Sequence, residues 1–153
     1  MVLSRNYISP RSVINFRNSI KVCACACGGG TLEKQGPLGS YLDIYCPDDK
    51  TTDSWEKNES DMVKQVFSCA LSKLGISESS IDIILGGDLM NQCTGTAYGL
   101  SSFDAPYLGL YGACSTFAEG ILIASMLIDS GHINTAAVAV SSHFCTAERQ
   151  YRM

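Results

Sequence analysis

Leu108-Gly109-Leu110-Tyr111-Gly112-Ala113-Cys114-Ser115-Thr116-Phe117-Ala118-Glu119-Gly120 changes character halfway along. Residues 106–111 are a short apolar run of strand length, Gly112 and Ala113 are small, and from Cys114 onward the composition is helical. The stretch predicts a strand that turns sharply into a helix. A cysteine at that junction lies near unpaired backbone N–H groups and the positive end of the helix dipole. Such a setting favours the thiolate, and small neighbours let a ligand approach the main chain closely. The same residues also fit a plainer role, a buried thiol packed as a small hydrophobe at a tight turn.

Outward from this turn the pattern repeats. Residues 115–130 read as a helix carrying Phe117, Ile121, Leu122, Ile123, Ala124, Met126, Leu127 and Ile128, with Glu119 its only charge before Asp129. A helix apolar nearly all round belongs in the middle of something larger. Gly131 closes it, residues 135–140 form the next strand, and the carboxyl end of that strand delivers Ser141-Ser142-His143. In the other direction, residues 81–85 are a continuous apolar run of the kind buried in parallel sheets. Gly86-Gly87-Asp88 ends that strand, Asn91 and Gln92 follow, and a helix over 95–103 leads back to the opening stretch.

Further upstream, Asp53 or Ser54 caps a helix running to about Leu74, where Gly75 stops it. Trp55, Met62, Val63, Val66, Phe67, Ala70, Leu71 and Leu74 form its apolar stripe, and Glu56, Lys57, Glu59, Lys64 and Lys73 are expected on the wet side. Residues 19–27 read as the first strand, ended by Gly28-Gly29-Gly30. Residues 33–49 read as an irregular loop with turns at Gly36-Pro37-Leu38-Gly39 and Pro47-Asp48-Asp49. The glycine triplet lacks the Lys-Ser/Thr of a P-loop and the spacing of a dinucleotide fingerprint.

Strand and helix therefore alternate, the signature of an α/β fold with a mostly parallel sheet and right-handed crossovers. Ligands bind such sheets at the carboxyl ends of the strands. Here those ends bring Asp88 with Asn91, then Cys114, then Ser142 with His143. The candidate ligand-binding set is Asp88, Asn91, Cys114, Ser142 and His143, with Cys114 as the nucleophile position and His143 as the one available general base. Each also has a plain structural role: Asp88 as a helix cap, Asn91 as a turn residue, His143 as a surface loop residue.

A chain of 153 residues fits one domain and can bury roughly two-thirds of its surface. The net charge of −4 conceals an asymmetry, because no Lys or Arg occurs between Lys73 and Arg149. A nucleic-acid partner needs a basic stripe, so that class is excluded. No apolar run is long enough to span a bilayer. Residues 1–18, with Arg5, Arg11 and Arg17 but no acid, lack the apolar core of a signal peptide and read as a loose N-terminal arm, with a transit-like leader as the alternative. Among the eight cysteines, Cys23, Cys25 and Cys27 would share one face of a strand, about 6.8 Å apart in steps of two. That spacing suits neither a disulfide between neighbours nor the C-x-x-C pattern of zinc sites, so reduced thiols and no metal or cofactor are expected.

Four segments together carry a resemblance: Gly36-Pro37-Leu38-Gly39-Ser40, Gly87-Asp88-Leu89-Met90-Asn91-Gln92, residues 109–116, and Ser141-Ser142-His143-Phe144-Cys145-Thr146-Ala147-Glu148-Arg149-Gln150-Tyr151-Arg152. They resemble stage V sporulation protein AD, a family of the thiolase-like superfamily found in spore-forming bacteria. The resemblance implies a fold of two similar halves layered helix, sheet, helix, sheet, helix. This chain would supply the N-terminal half over residues 19–153, one βαβαβα-β unit with a buried central helix, and would be truncated. It further implies binding of dipicolinic acid, help in moving that acid into the forming spore and out at germination, and partner proteins of the same operon. The expected location is cytoplasmic or peripheral at the forespore inner membrane, and a homodimer is implied, paired along residues 106–111. Cys114 falls on the acyl-nucleophile position of thiolases and ketoacyl synthases, whose sites are completed by His or Asn residues of the second half. A Cys-dependent acyltransferase and an inactive fragment are the alternative readings.

Overall fold

The computed structural model describes residues 13–47, 54–143 and 145–147. Its centre is a three-stranded parallel sheet built from β3 (Ile83–Gly87), β4 (Tyr107–Gly109) and β5 (Ala136–Val140), in the order β4-β3-β5. A smaller parallel pair joins β1 (Gly28–Gly29) to β2 (Ile44–Tyr45). The helices are α1 (Thr31–Gln35), α2 (Trp55–Leu74), α3 (Thr94–Leu100) and α4 (Thr116–Asp129). The α/β class and the parallel sheet are those expected from the sequence.

Side chains alternate across a strand, which separates the two faces of the sheet. Ile84, with Ala137 and Ala139 beside it, faces a core of Val63 and Phe67 from α2 and Leu100 from α3. Phe67 meets Phe103 edge to face at 4.6 Å, the offset geometry that aromatic pairs prefer. The opposite face carries Val138 against α4. A Cβ at Gly120 would stand 2.5 Å from Val138 Cγ1, so only glycine lets α4 lie this close to the sheet.

Helix α2 begins and ends as its sequence dictates. Ser54 Oγ accepts from Lys57 N at 3.1 Å, and Gly75 adopts the left-handed conformation (φ 70°) that ends many helices. Asp82 plays a comparable part between strands, its Oδ2 accepting from Asn134 N and Thr135 N at 2.7 and 3.0 Å, which holds its carboxyl below the ordinary value.

Several expectations need correction. Residues 19–27 form no strand; among the described residues nothing pairs with them in a ladder, and a strand needs a partner for its N–H and C=O groups. Their side chains still alternate, with Cys23, Cys25 and Cys27 outward and exposed and Ala24 and Ala26 half-buried. The presumed loop at 33–49 holds the end of α1, where Glu33 Oε2 accepts from Gly30 N at 3.0 Å, and the whole of β2. Arg17 N and Asn18 N, from the last residues of the expected arm, donate to Asp129 Oδ1 at 2.7 and 2.8 Å, and residues 1–12 of that arm lie outside the described residues. Glu59, placed on the wet side of its helix by the sequence reading, is 1% exposed.

Helix α4 buries Thr116, Gly120, Ala124 and Ser125 against the sheet while Phe117, Ile121, Leu122 and Met126 stay exposed. It is central on one side and open on the other. All eight cysteines are free, with Cys46 and Cys93 buried. Among the described residues, no helix is long and apolar enough to cross a membrane, and no group of three or more His, Cys, Asp or Glu is placed to hold a metal ion.

Candidate functional site

The carboxyl ends of the three strands meet at Gly87. On one side Leu110 N donates to Gly86 O at 2.8 Å, and on the other Ser141 N donates to Gly87 O at 3.3 Å. The chain leaving β3 enters Asp88, which is 2% exposed. Its Oδ1 accepts from Met90 N at 2.7 Å, and its Oδ2 accepts from Thr96 N at 2.7 Å and Thr96 Oγ1 at 2.5 Å. Three donors from the protein itself turn Asp88 into the brace that closes the β3–α3 turn and caps α3. Neither oxygen is turned out to a ligand. Asn91 and Gln92 are exposed on the following turn, where Gln92 and Cys93 take left-handed backbone conformations (φ 61° and 53°). Cys93 Sγ donates to Leu110 O at 3.1 Å and so ties this turn to the end of β4. Beneath it Tyr107 Oη donates to Gly86 O at 2.9 Å, and burial pushes the phenol up to about 12.

At the end of β5 lies a buried polar cluster. Ser141 Oγ lies 2.7 Å from Glu59 Oε1, and Thr146 Oγ1 lies 2.7 Å from Glu59 Oε2. Thr146 Oγ1 is also 2.8 Å from the His143 carbonyl. The His143 ring packs on Trp55 with centroids 5.4 Å apart and planes tilted by 39°. Burial raises the Glu59 carboxyl above the ordinary value, the two hydroxyls oppose the shift, nearby Asp88 adds to it, and His143 works against it. Ser142, between these partners, is exposed.

The end of β4 is built differently. Cys114 is exposed in the one-turn 3₁₀ segment Ala113–Ser115, and Ala113 is left-handed (φ 49°). Ser115 Oγ lies 2.6 Å from Glu119 Oε1 and 2.8 Å from Gly112 O. The Glu119 carboxylate folds back over the turn close enough to Gly112 that a side chain there would have to push it aside. The positive end of α4 thus already has an acid of its own beside it.

The structure brings His143 together with Ser141, Glu59 and Trp55. It does not join either group to Cys114. Strands β4 and β5 flank β3, so their ends stand about 10 Å apart, two inter-strand spacings, and no hydrogen bond links Cys114 to His143. Glu148, Arg149 and Arg152, part of the segment that carried the family resemblance, lie outside the described residues. Sequence reading missed Glu59, Trp55 and Thr146 as site residues. A signal existed for the first: Glu59 is four residues after Trp55 and four before Val63, which places it on the apolar stripe of α2 rather than opposite it.

A parallel sheet with helices packed on both of its faces is the fold of a thiolase-like half. The priming β-ketosynthase of the R1128 polyketide pathway superimposes on 58% of this chain and 28% of its own, with a TM-score of 0.50 at 20% identity. A 3-oxoacyl-(acyl carrier protein) synthase III from Xanthomonas oryzae pv. oryzae covers 54% of this chain and 26% of its own, with a TM-score of 0.48 at 20% identity.

The chain belongs to the stage V sporulation protein AD family, whose profile matches residues 10–153. Stage V sporulation protein AD of Bacillus subtilis (strain 168) is 38% identical over 142 residues, or 90% of this chain. The chain spans 41% of the length of that relative.

Proposed function

We propose that this chain serves the spore by binding dipicolinic acid and assisting its passage into the forming spore and out of it at germination. Its family membership supports a role in sporulation. The observation that carries the binding reading is the exposed turn at 112–114, whose small residues leave the main chain open to a planar anion. Cys114 is exposed in that turn, and His143 packs on Trp55 beside the Glu59 cluster. Dipicolinate is a planar dianion whose recognition needs hydrogen-bond donors and a close approach to the main chain, not a nucleophile. Asn91, Ser142 and the small-residue turn at 112–114 offer both. Proteins of the same operon at the forespore inner membrane are the proposed partners, and a second copy along the exposed edge strand β4 is the proposed homodimer.

Calorimetric titration of the 153-residue chain with dipicolinate tests this reading. Cys114→Ala and His143→Ala should each weaken binding, and unchanged affinity in both would remove these residues from the site. Glu119→Gln should tighten binding severalfold, because it takes a like charge away from the turn. The second reading, an acyltransferase of thiolase or ketoacyl synthase type, draws on the exposed thiol at the strand-to-helix turn. It requires a mass gain on Cys114 after incubation with acyl-CoA, and it ends if none appears.

A further inference from the structure

Glu59 shares its buried site with more acceptors than the neighbouring hydroxyls have protons. The Thr146 hydroxyl lies within hydrogen-bond distance of two oxygens, Glu59 Oε2 at 2.7 Å and the His143 carbonyl at 2.8 Å. A hydroxyl has one proton to give. If Glu59 is a carboxylate, both neighbours are acceptors and the single Thr146 proton is shared between them in a three-centre bond, weaker toward each. If Glu59 is a carboxylic acid, every contact is satisfied. Its proton goes from Oε2 to Thr146 Oγ1, Thr146 donates to the His143 carbonyl, and Ser141 donates to Oε1. The Ser115 hydroxyl faces a similar pair, Glu119 and Gly112 O, but Ser115 is exposed and water can supply the missing donor. Thr146 is 0% and Glu59 1% exposed, so bulk water does not reach them.

We propose that Glu59 is held as a neutral acid and that its proton pins Ser141 and Thr146 onto α2, making Glu59 a positioning residue for Ser142 and His143 at the rim. Among the described residues, three elements face it. The β3–α3 turn brings Asp88, a like charge that favours the neutral form. The segment after β5 brings Ser141, Thr146 and His143, the last of which favours the carboxylate. Helix α3 brings Gly95, whose position leaves no room for a side chain against Glu59 and Met90, while its one titratable residue, Tyr98, is exposed. Burial tips the balance toward the acid. The device is a proton-dependent latch. It closes at acidic pH and loosens when the acid ionises, because the carboxylate then opposes the His143 carbonyl for the single Thr146 proton.

The test uses the 153-residue chain labelled with ¹³C at the glutamate carboxyls, with Glu59→Gln to assign the signal. Gln can donate to Thr146 and accept from Ser141, so it mimics the neutral acid. The Glu59 resonance should keep its protonated shift after the exposed glutamates have titrated. Amide exchange over 141–147, corrected for intrinsic rates, should speed up by as much as about tenfold per pH unit above the ordinary carboxylate range in the wild type. In Glu59→Gln it should hardly depend on pH. A Glu59 signal that titrates with the exposed glutamates overturns the proposal, as does the same pH dependence of exchange in both proteins. Should Glu59→Gln fail to fold, the wild-type carboxyl signal, assigned by through-bond connection to its own backbone, decides alone. The outcome is independent of dipicolinate, so it stands or falls apart from the binding reading.

Discussion

Helices α2 and α4 lie against the same sheet from opposite sides and depart from amphipathic convention in opposite ways. Helix α2 carries a carboxylic acid into the interior at Glu59, beside the apolar Val63 and Phe67. Helix α4 sends its smallest residues inward and leaves Phe117, Ile121, Leu122 and Met126 in solvent. The first departure is compensated locally, since Ser141 and Thr146 meet the buried carboxyl. The second is not compensated within the described residues. Each of those four side chains is already about half covered and would gain a further ~1 kcal/mol if fully buried. One side of the sheet is therefore finished, and the other still presents an apolar surface.

The largest effect that tests this contrast is predicted on the finished side. Phe67 is 6% exposed and wedged against Phe103. Phe67→Ala should cost about 3–5 kcal/mol in denaturant unfolding, the range for emptying a packed aromatic site. A loss below about 1 kcal/mol would mean that the core under α2 is not packed as described. The pH dependence follows. In the unfolded chain Glu59 titrates at the ordinary value of 4.5, and in the folded chain burial moves it higher. Below 4.5 both states hold the proton and the stability is fully present. As pH rises further, only the unfolded chain releases it, so stability falls by up to about 1.4 kcal/mol per pH unit until the folded pKa is passed. Glu59→Gln should flatten that slope in urea titrations run at several pH values.

Much of this was legible in the residues, for reasons that can be named. The α2 boundaries follow from Ser54 and Gly75, whose local chemistry is enough to start and stop a helix. β3 could be read from an unbroken apolar run, because a strand covered on both faces needs one. The segment at 19–27 misled because alternation describes an extended chain, whereas a strand also requires a neighbour, and pairing is not written in one segment. The site was legible only as a rim. Asp88 was found, but its three donors come from Met90 and Thr96 and depend on how the turn closes. Glu59 was assigned by its charge instead of its phase on the helix, and its partners Ser141 and Thr146 lie more than 80 residues away.

The smallest predicted stability effect is on the unfinished side, and it sharpens the contrast most. Phe117 is 52% exposed on the outer face of α4, as large a side chain as Phe67 and two residues into its helix. Phe117→Ser removes little packing, so unfolding free energy should change by no more than about 0.5 kcal/mol. What should change is association. An apolar stripe of Phe117, Ile121, Leu122 and Met126 favours contact between molecules, and a serine at one end with another at Met126 interrupts it. In size-exclusion chromatography over a concentration series, the double variant should stay at its smallest size at concentrations where the wild type self-associates. If both elute alike and the stability falls by several kcal/mol, then Phe117 is part of a packed core, and the distinction between the two sides of the sheet is wrong.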